Sequence, residues 1–173
     1  ITIETISAGS DYVRLVAGTS ILDGDANNDT ELDITAAGLM MKALSSSGSI
    51  GTSVNHLETT VATLSASAGS GGVYITETDG VVVDTVSVTV QRVSGSAGFA
   101  AVVNTQSDLV TANNGNVVLV ALAGSITLNA GLVADATLTA VSANGSGSIL
   151  LDAHGSGSDV VVKAKLTSGT GHI

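Results

Sequence analysis

The 173-residue chain contains no cysteine, no proline and no tryptophan, and its only aromatic rings besides histidine are Tyr12, Tyr74 and Phe99. Charge is scarce too. Asp, Glu, Lys and Arg make up 12% of residues, with 15 acidic against 5 basic side chains and a net charge of -10. Each shortage excludes something. Without cysteine there is no disulfide framework and no thiolate zinc site. A nucleic-acid partner needs a basic face, and a single-stranded one needs stacking rings, so nucleic acid is not expected. No apolar run reaches the ~18 residues of a membrane-spanning helix, and no membrane insertion is expected. At 44% hydrophobic residues the chain is too apolar for intrinsic disorder.

What the chain does have is a repeated texture. Tracts of three to five β-branched and aliphatic residues recur, among them Ile126–Leu128, Leu138–Val141, Ile149–Leu151 and Val160–Val162, each bounded by Gly, Ser, Asn or Asp. That is a strand-and-turn signature. Ser125–Ala130 resembles Ser148–Ala153 at a spacing of 23, Val117–Ala121 resembles Val160–Ala164 at 43, and Val13–Ala17 resembles Leu32–Ala36 at 19. A drifting period of 19 to 24 residues with two or three short strands predicts an all-β parallel β-helix, a solenoid of stacked coils. The missing prolines agree, because strands paired on both sides need every N–H. The 21 glycines suit corners where φ turns positive. A row of β-sandwich modules is the rival, although sandwiches carry longer strands and core aromatics. Residues 34–44 have some helical character; the repeat instead predicts two strands, Leu32–Ala36 and Leu39–Ala43, split by Gly38.

Ile1-Thr2-Ile3-Glu4 begins inside an alternating pattern without a Met. Gly169-Thr170-Gly171-His172-Ile173 stops where the similar Gly145–Ile149 runs on into a strand. Residues 1–173 are therefore expected to be a single β-helical segment of a longer repetitive protein, whose export signals lie outside it.

The sharpest local motif is acidic. From Asp23 to Asp33, oxygen-bearing side chains fall at every second position: Asp23, Asp25, Asn27, Asp29, Glu31 and Asp33. The frame from Asp25 resembles a calcium loop of the EF-hand or dockerin kind, in which a hard cation gathers six to eight oxygens from a tightly curled chain. Thr30 stands where the sharp turn wants glycine, and Ala36 stands where the closing bidentate acid belongs. Two readings stay open: a solvated acidic turn, and a calcium site. His56, His154 and His172 are far apart and read as solvent-facing. The Gly-Ser runs at 145–148 and 155–158 lack the Lys-Ser/Thr of a phosphate loop and read as corners. Carboxylate pairs such as Asp79 with Asp84, or Asp152 with Asp159, exist, but almost no rings are available to hold a sugar. No enzyme activity is expected.

Gly48-Ser49-Ile50-Gly51-Thr52, Asn55-His56-Leu57-Glu58-Thr59, Leu64–Gly69 and Gly124–Ala130 together resemble the very long repetitive exoproteins of bacteria, proteins similar to filamentous haemagglutinin and other giant adhesins. That resemblance implies a right-handed β-helical shaft, a place outside the cell or on the bacterial surface, and a role in adhesion to host or neighbouring cells. Its alternatives are a filament or matrix subunit that pairs with itself end to end, and a calcium-tuned binding module. The resemblance brings no catalytic residues.

Overall fold

The computed structural model describes residues 1–25, 31–132 and 138–173, and among these every named element is a strand. The chain passes the same positions again and again. A first passage holds β1 (Thr2–Ile3), β2 (Ile6–Ser7) and β3 (Tyr12–Ala17); a second holds β4 (Leu22–Asp23) and β5 (Ile34–Ala43). A third holds β6 (Ser49–Ile50) and β7 (Leu57–Ala68). The fourth contains β8 (Gly72–Glu77), β9 (Val81–Val83), β10 (Val86–Val93), β11 (Phe99–Gln106) and β12 (Leu109–Thr111). The fifth contains β13 (Val117–Ala121), β14 (Ile126–Leu128) and β15 (Thr139–Ala143), and the sixth β16 (Ile149–Ala153), β17 (Val160–Val162) and β18 (Lys165–Ser168). Fourteen of these strands form one sheet, a 14-stranded wall that wraps until nearly closed. All of its internal pairings are parallel.

Register explains the core. Val13 faces Leu39, Leu39 faces Leu64, Leu64 faces Val83, Val83 faces Leu128 and Leu128 faces Val162. A second column runs Ile21, Ile50, Val73, Val117, Ile149. Because side chains alternate across a strand, each column puts one aliphatic residue per passage into the interior. Leu39, Leu64, Val83 and Leu128 are fully buried, whereas Val162, with no passage beyond it here, is 54% exposed. Apolar burial of this kind is the main favourable term in folding.

The sequence repeats do not coincide with this register. Ile126 pairs with Val81 and Val160, not with a counterpart of Ile149, which pairs with Val117. Val13 pairs with Leu39, 26 residues on, and not near Leu32. Passage length also varies beyond 19 to 24. Leu57 to Ile75 is 18 residues and Leu64 to Val83 is 19, but Val83 to Leu128 is 45 and Leu128 to Val162 is 34. The bare passage is short, and insertions leave from its corners. One short β-branched tract looks like another, so the resemblances linked strands on different faces. The predicted split at Gly38 is also corrected: β5 is one strand of 10 residues, in which Gly38 faces Tyr12 and a Cβ would strike the Tyr12 ring.

Glycine is required at one corner for a different reason. A Cβ on Gly115 would meet the carbonyl oxygen of Gly69, and one on Gly147 that of Gly115. Successive passages there touch backbone to backbone.

The largest insertion is an antiparallel arm, which the sequence reading did not anticipate. β10 and β11 pair from Val86↔Gln106 to Val93↔Phe99. The arm is rooted in a column that runs Asp84, Ser65, Met40, Arg14 from the fourth passage back to the first. Val86 and Val88 pack on Met40, and the Gln106 side-chain amide donates to the Met41 carbonyl oxygen at 3.0 Å. The arm therefore lies back along the wall, toward the first passage.

Candidate functional site

Three carboxylates meet at the corner where the acidic loop leaves the wall. Asp23 ends β4, Asp33 immediately precedes β5, and Glu58 is the second residue of β7. One oxygen from each lies within 4.8 Å of the others. Stacking causes the meeting: the Asp33 N–H donates to the Glu58 carbonyl oxygen at 3.0 Å, and the Glu58 N–H donates to Asp33 Oδ2 at 2.8 Å. Asp33 is 3% exposed and Glu58 5%. Asp23 Oδ1 accepts the Asp25 N–H at 2.9 Å, while its Oδ2 is buried without a hydrogen-bond partner. The loop at 51–56 leaves from the same corner, and Asn55 Nδ2 donates to the Asp25 carbonyl oxygen at 2.8 Å.

Three like charges this close repel strongly in a partly dry site. Burial, helped by neighbouring Asp23, raises the Asp33 carboxyl to about 6. Two things can relieve such a cluster: a shared proton, or a cation. Hard-cation chemistry suits all-oxygen donors. Of the residues predicted from sequence, Asp23 and Asp33 are brought together; Asp25 and Glu31 are described but stand outside the converging trio, and Asn27 and Asp29 lie outside the described residues. Glu58 was missed as a site residue. Its only sequence signal is an acid inside a β-branched, otherwise uncharged strand, LETTVATLSASA.

A second carboxyl is buried for another reason. Glu77 is fully buried at the end of β8, accepting the Val61 N–H at 2.9 Å and the Thr59 hydroxyl at 2.6 Å. At that corner β7 leaves β8 and has not yet met β9, so Val61, which pairs with Ala36 on its other side, lacks a strand partner toward the fourth passage and the carboxyl supplies an acceptor there. Desolvation, with Asp79 adding to it, pushes Glu77 up to about 8.

The histidines are not all solvent-facing. His56 is half-buried, 5.9 Å from the Tyr74 ring and 2.9 Å from Thr76 Oγ1, and burial lowers its pKa. His154 is exposed and lies 3.0 Å from Asp152; His172 is exposed. The Gly-Ser runs are turns as expected, with positive φ at Gly145, Gly155 and Gly157.

No family model, no curated protein and no solved structure matches this chain.

Proposed function

We propose that the chain is a right-handed parallel β-helical shaft, a non-catalytic structural and adhesive element of a protein displayed outside a bacterial cell. The observation that carries this reading is the register, in which the same columns pair in parallel through six successive passages. At about 4.8 Å per coil, such a stack is stiff, and it lengthens simply by adding coils. The acidic, proline-free surface fits display in water and not contact with anionic lipid. Antibody raised against the chain should label intact, unpermeabilised source cells. Labelling only after permeabilisation overturns the surface reading.

A calcium-tuned shaft is the second reading, favoured by the convergence of Asp23, Asp33 and Glu58. Calcium bound there would offset the repulsion among the three carboxylates, as a proton on Asp33 does below about 6. Melting the protein at pH 7 in calcium and in EDTA tests it. The expected result is a calcium-dependent rise in Tm that Glu58→Gln abolishes; identical melts overturn it.

End-to-end self-assembly is the weaker reading. Leu150, Val160 and Val162 of the sixth passage are exposed, and exposed strand edges invite pairing. But Lys163 occupies the column that runs through Asn129, Asp84, Ser65 and Met40 to Arg14. Head-to-tail stacking in the same register would set Lys163 against Arg14, cation on cation. A monodisperse monomer in sedimentation would remove it.

A further inference from the structure

Arg14 and Arg92 are the only arginines in the chain, and both line one groove. The groove lies between the first passage and the outer half of the arm, and its other walls are Val90, Val102 and Asn104. Alternation along the arm brings them there. Val86, Val88, Val90 and Arg92 share one face of β10, and their partners Gln106, Asn104, Val102 and Ala100 share the same face of β11. At the root this face is closed on Met40. Farther out it is not: Val90 is directed toward the shaft yet is 45% exposed, and a cavity of about 300 Å³ remains.

The charges make the groove unusual. Acids outnumber bases 15 to 5, so a basic side chain has carboxylates to choose from. Among the described residues the one ion pair is His154 with Asp152, and neither arginine has a carboxylate within reach. Two unpaired guanidinium groups brought to one cavity repel each other, and an anion between them removes that cost. Guanidinium offers forked donors matched to oxyanions. The Asn104 side chain adds a neutral amide, and Val90 and Val102 supply apolar walls beside it.

We propose that this groove is an oxyanion site, taking a sulfate or phosphate group, free or as an ester, and that the bound group clamps the arm onto the first passage. Arg14 supplies the shaft side of the clamp; Arg92 and Asn104 supply the arm side. Held this way, the arm is fixed to the shaft beyond the reach of its apolar root.

Having two arginines makes the test direct, because the guanidinium Nε–H region of a ¹⁵N NMR spectrum contains two signals. The full chain is titrated at constant ionic strength with sodium sulfate, with inorganic phosphate, with methyl phosphate and with sodium chloride. The expected result is saturable movement of both arginine signals and of arm amides, with sulfate or phosphate and not with chloride. Response to methyl phosphate as strong as to inorganic phosphate assigns the site to an ester; response to the inorganic ions alone assigns it to the free ion. Arg14→Gln and Arg92→Gln should each weaken binding about tenfold, the scale of a charge-assisted contact. Lys165→Gln, which removes the same charge from the last passage, should leave it unchanged. Equal response to chloride, no saturation, or full binding by the Arg14→Gln, Arg92→Gln double variant with an unchanged melt overturns the proposal.

Discussion

The wall and the arm are both β-structure, but they are held by different things. In the wall, a residue such as Leu128 is fully buried, with Val83 below it and Val162 above. In the arm, each strand has one partner, and β10 beyond Val88 and all of β11 are exposed or only partly covered. Phe99 at the tip is 78% exposed. An isolated two-stranded ribbon is marginal in water. The wall is thus the source of stability, and the arm is carried by it. A face packed into the core, together with a partner on each edge, separates the two.

The comparison breaks most visibly at the core. Leu128→Ala removes a fully buried side chain from a stacked column and should cost ~2–5 kcal/mol in urea denaturation, the range for a cavity that cannot collapse. Val103→Ala, on the outer face of the arm at 62% exposure, should change stability by no more than ~0.5 kcal/mol. A cost at Val103 as large as that at Leu128 would mean that the arm is covered in solution.

Protons sharpen the comparison next. The folded wall keeps Glu77 protonated up to about 8 and Asp33 up to about 6, whereas the unfolded chain loses those protons near 4.5 and 3.8. Between these values the folded state holds more protons, so stability falls as pH rises. The contribution is full below about 4, begins to fade through Asp33 toward pH 6, and is gone through Glu77 only past about 8. Residues 86–106 contain no acid and no histidine, so opening of the arm alone should not follow this curve. Urea midpoints taken from pH 4 to 9 should decline, and Glu77→Gln should flatten the part above pH 6. A midpoint that rises across that range would contradict the buried, protonated Glu77.

The texture of the wall was legible in the sequence because it is local. Short β-branched tracts, glycine corners and the absence of proline are each dictated by parallel strands paired on both sides, and they need no knowledge of partners. Register was not legible. It depends on how many residues each corner inserts, and the insertions at 24–32, 51–56 and 84–108 all differ. The arm had a signal that went unused: the alternation of Val86, Val88 and Val90, the Ser-Gly-Ser-Ala-Gly turn at 94–98, and a second extended run from Phe99 form a hairpin pattern. The acidic cluster was half legible. Asp23 and Asp33 stand in one motif, but Glu58 reaches them only because β7 stacks on β5.

Removing the arm altogether should cost the wall less than emptying its core does. In the third passage one residue, Ser65, connects Leu64 to Ala66, whereas in the fourth passage Val83 and Leu109, which face them, are separated by residues 84–108. The whole arm is thus an insertion at a single position of the wall. Replacing 84–108 by one serine restores the short connection already used one passage earlier. Met40, Val86 and Val88 form a small cluster apart from the main core, so excision uncovers Met40 and Ser65 and removes the Gln106 contact to the Met41 carbonyl and the Asp84 contact to Asn129. Uncovering one Met side chain costs ~1.5–3 kcal/mol, and closing a shorter loop returns part of that. A net loss of ~1–2 kcal/mol, with the parallel ladder still protected in hydrogen exchange, is the expected outcome. Collapse of protection at β7 and β12 would show instead that the arm is built into the wall, and that the distinction between carrier and cargo is wrong.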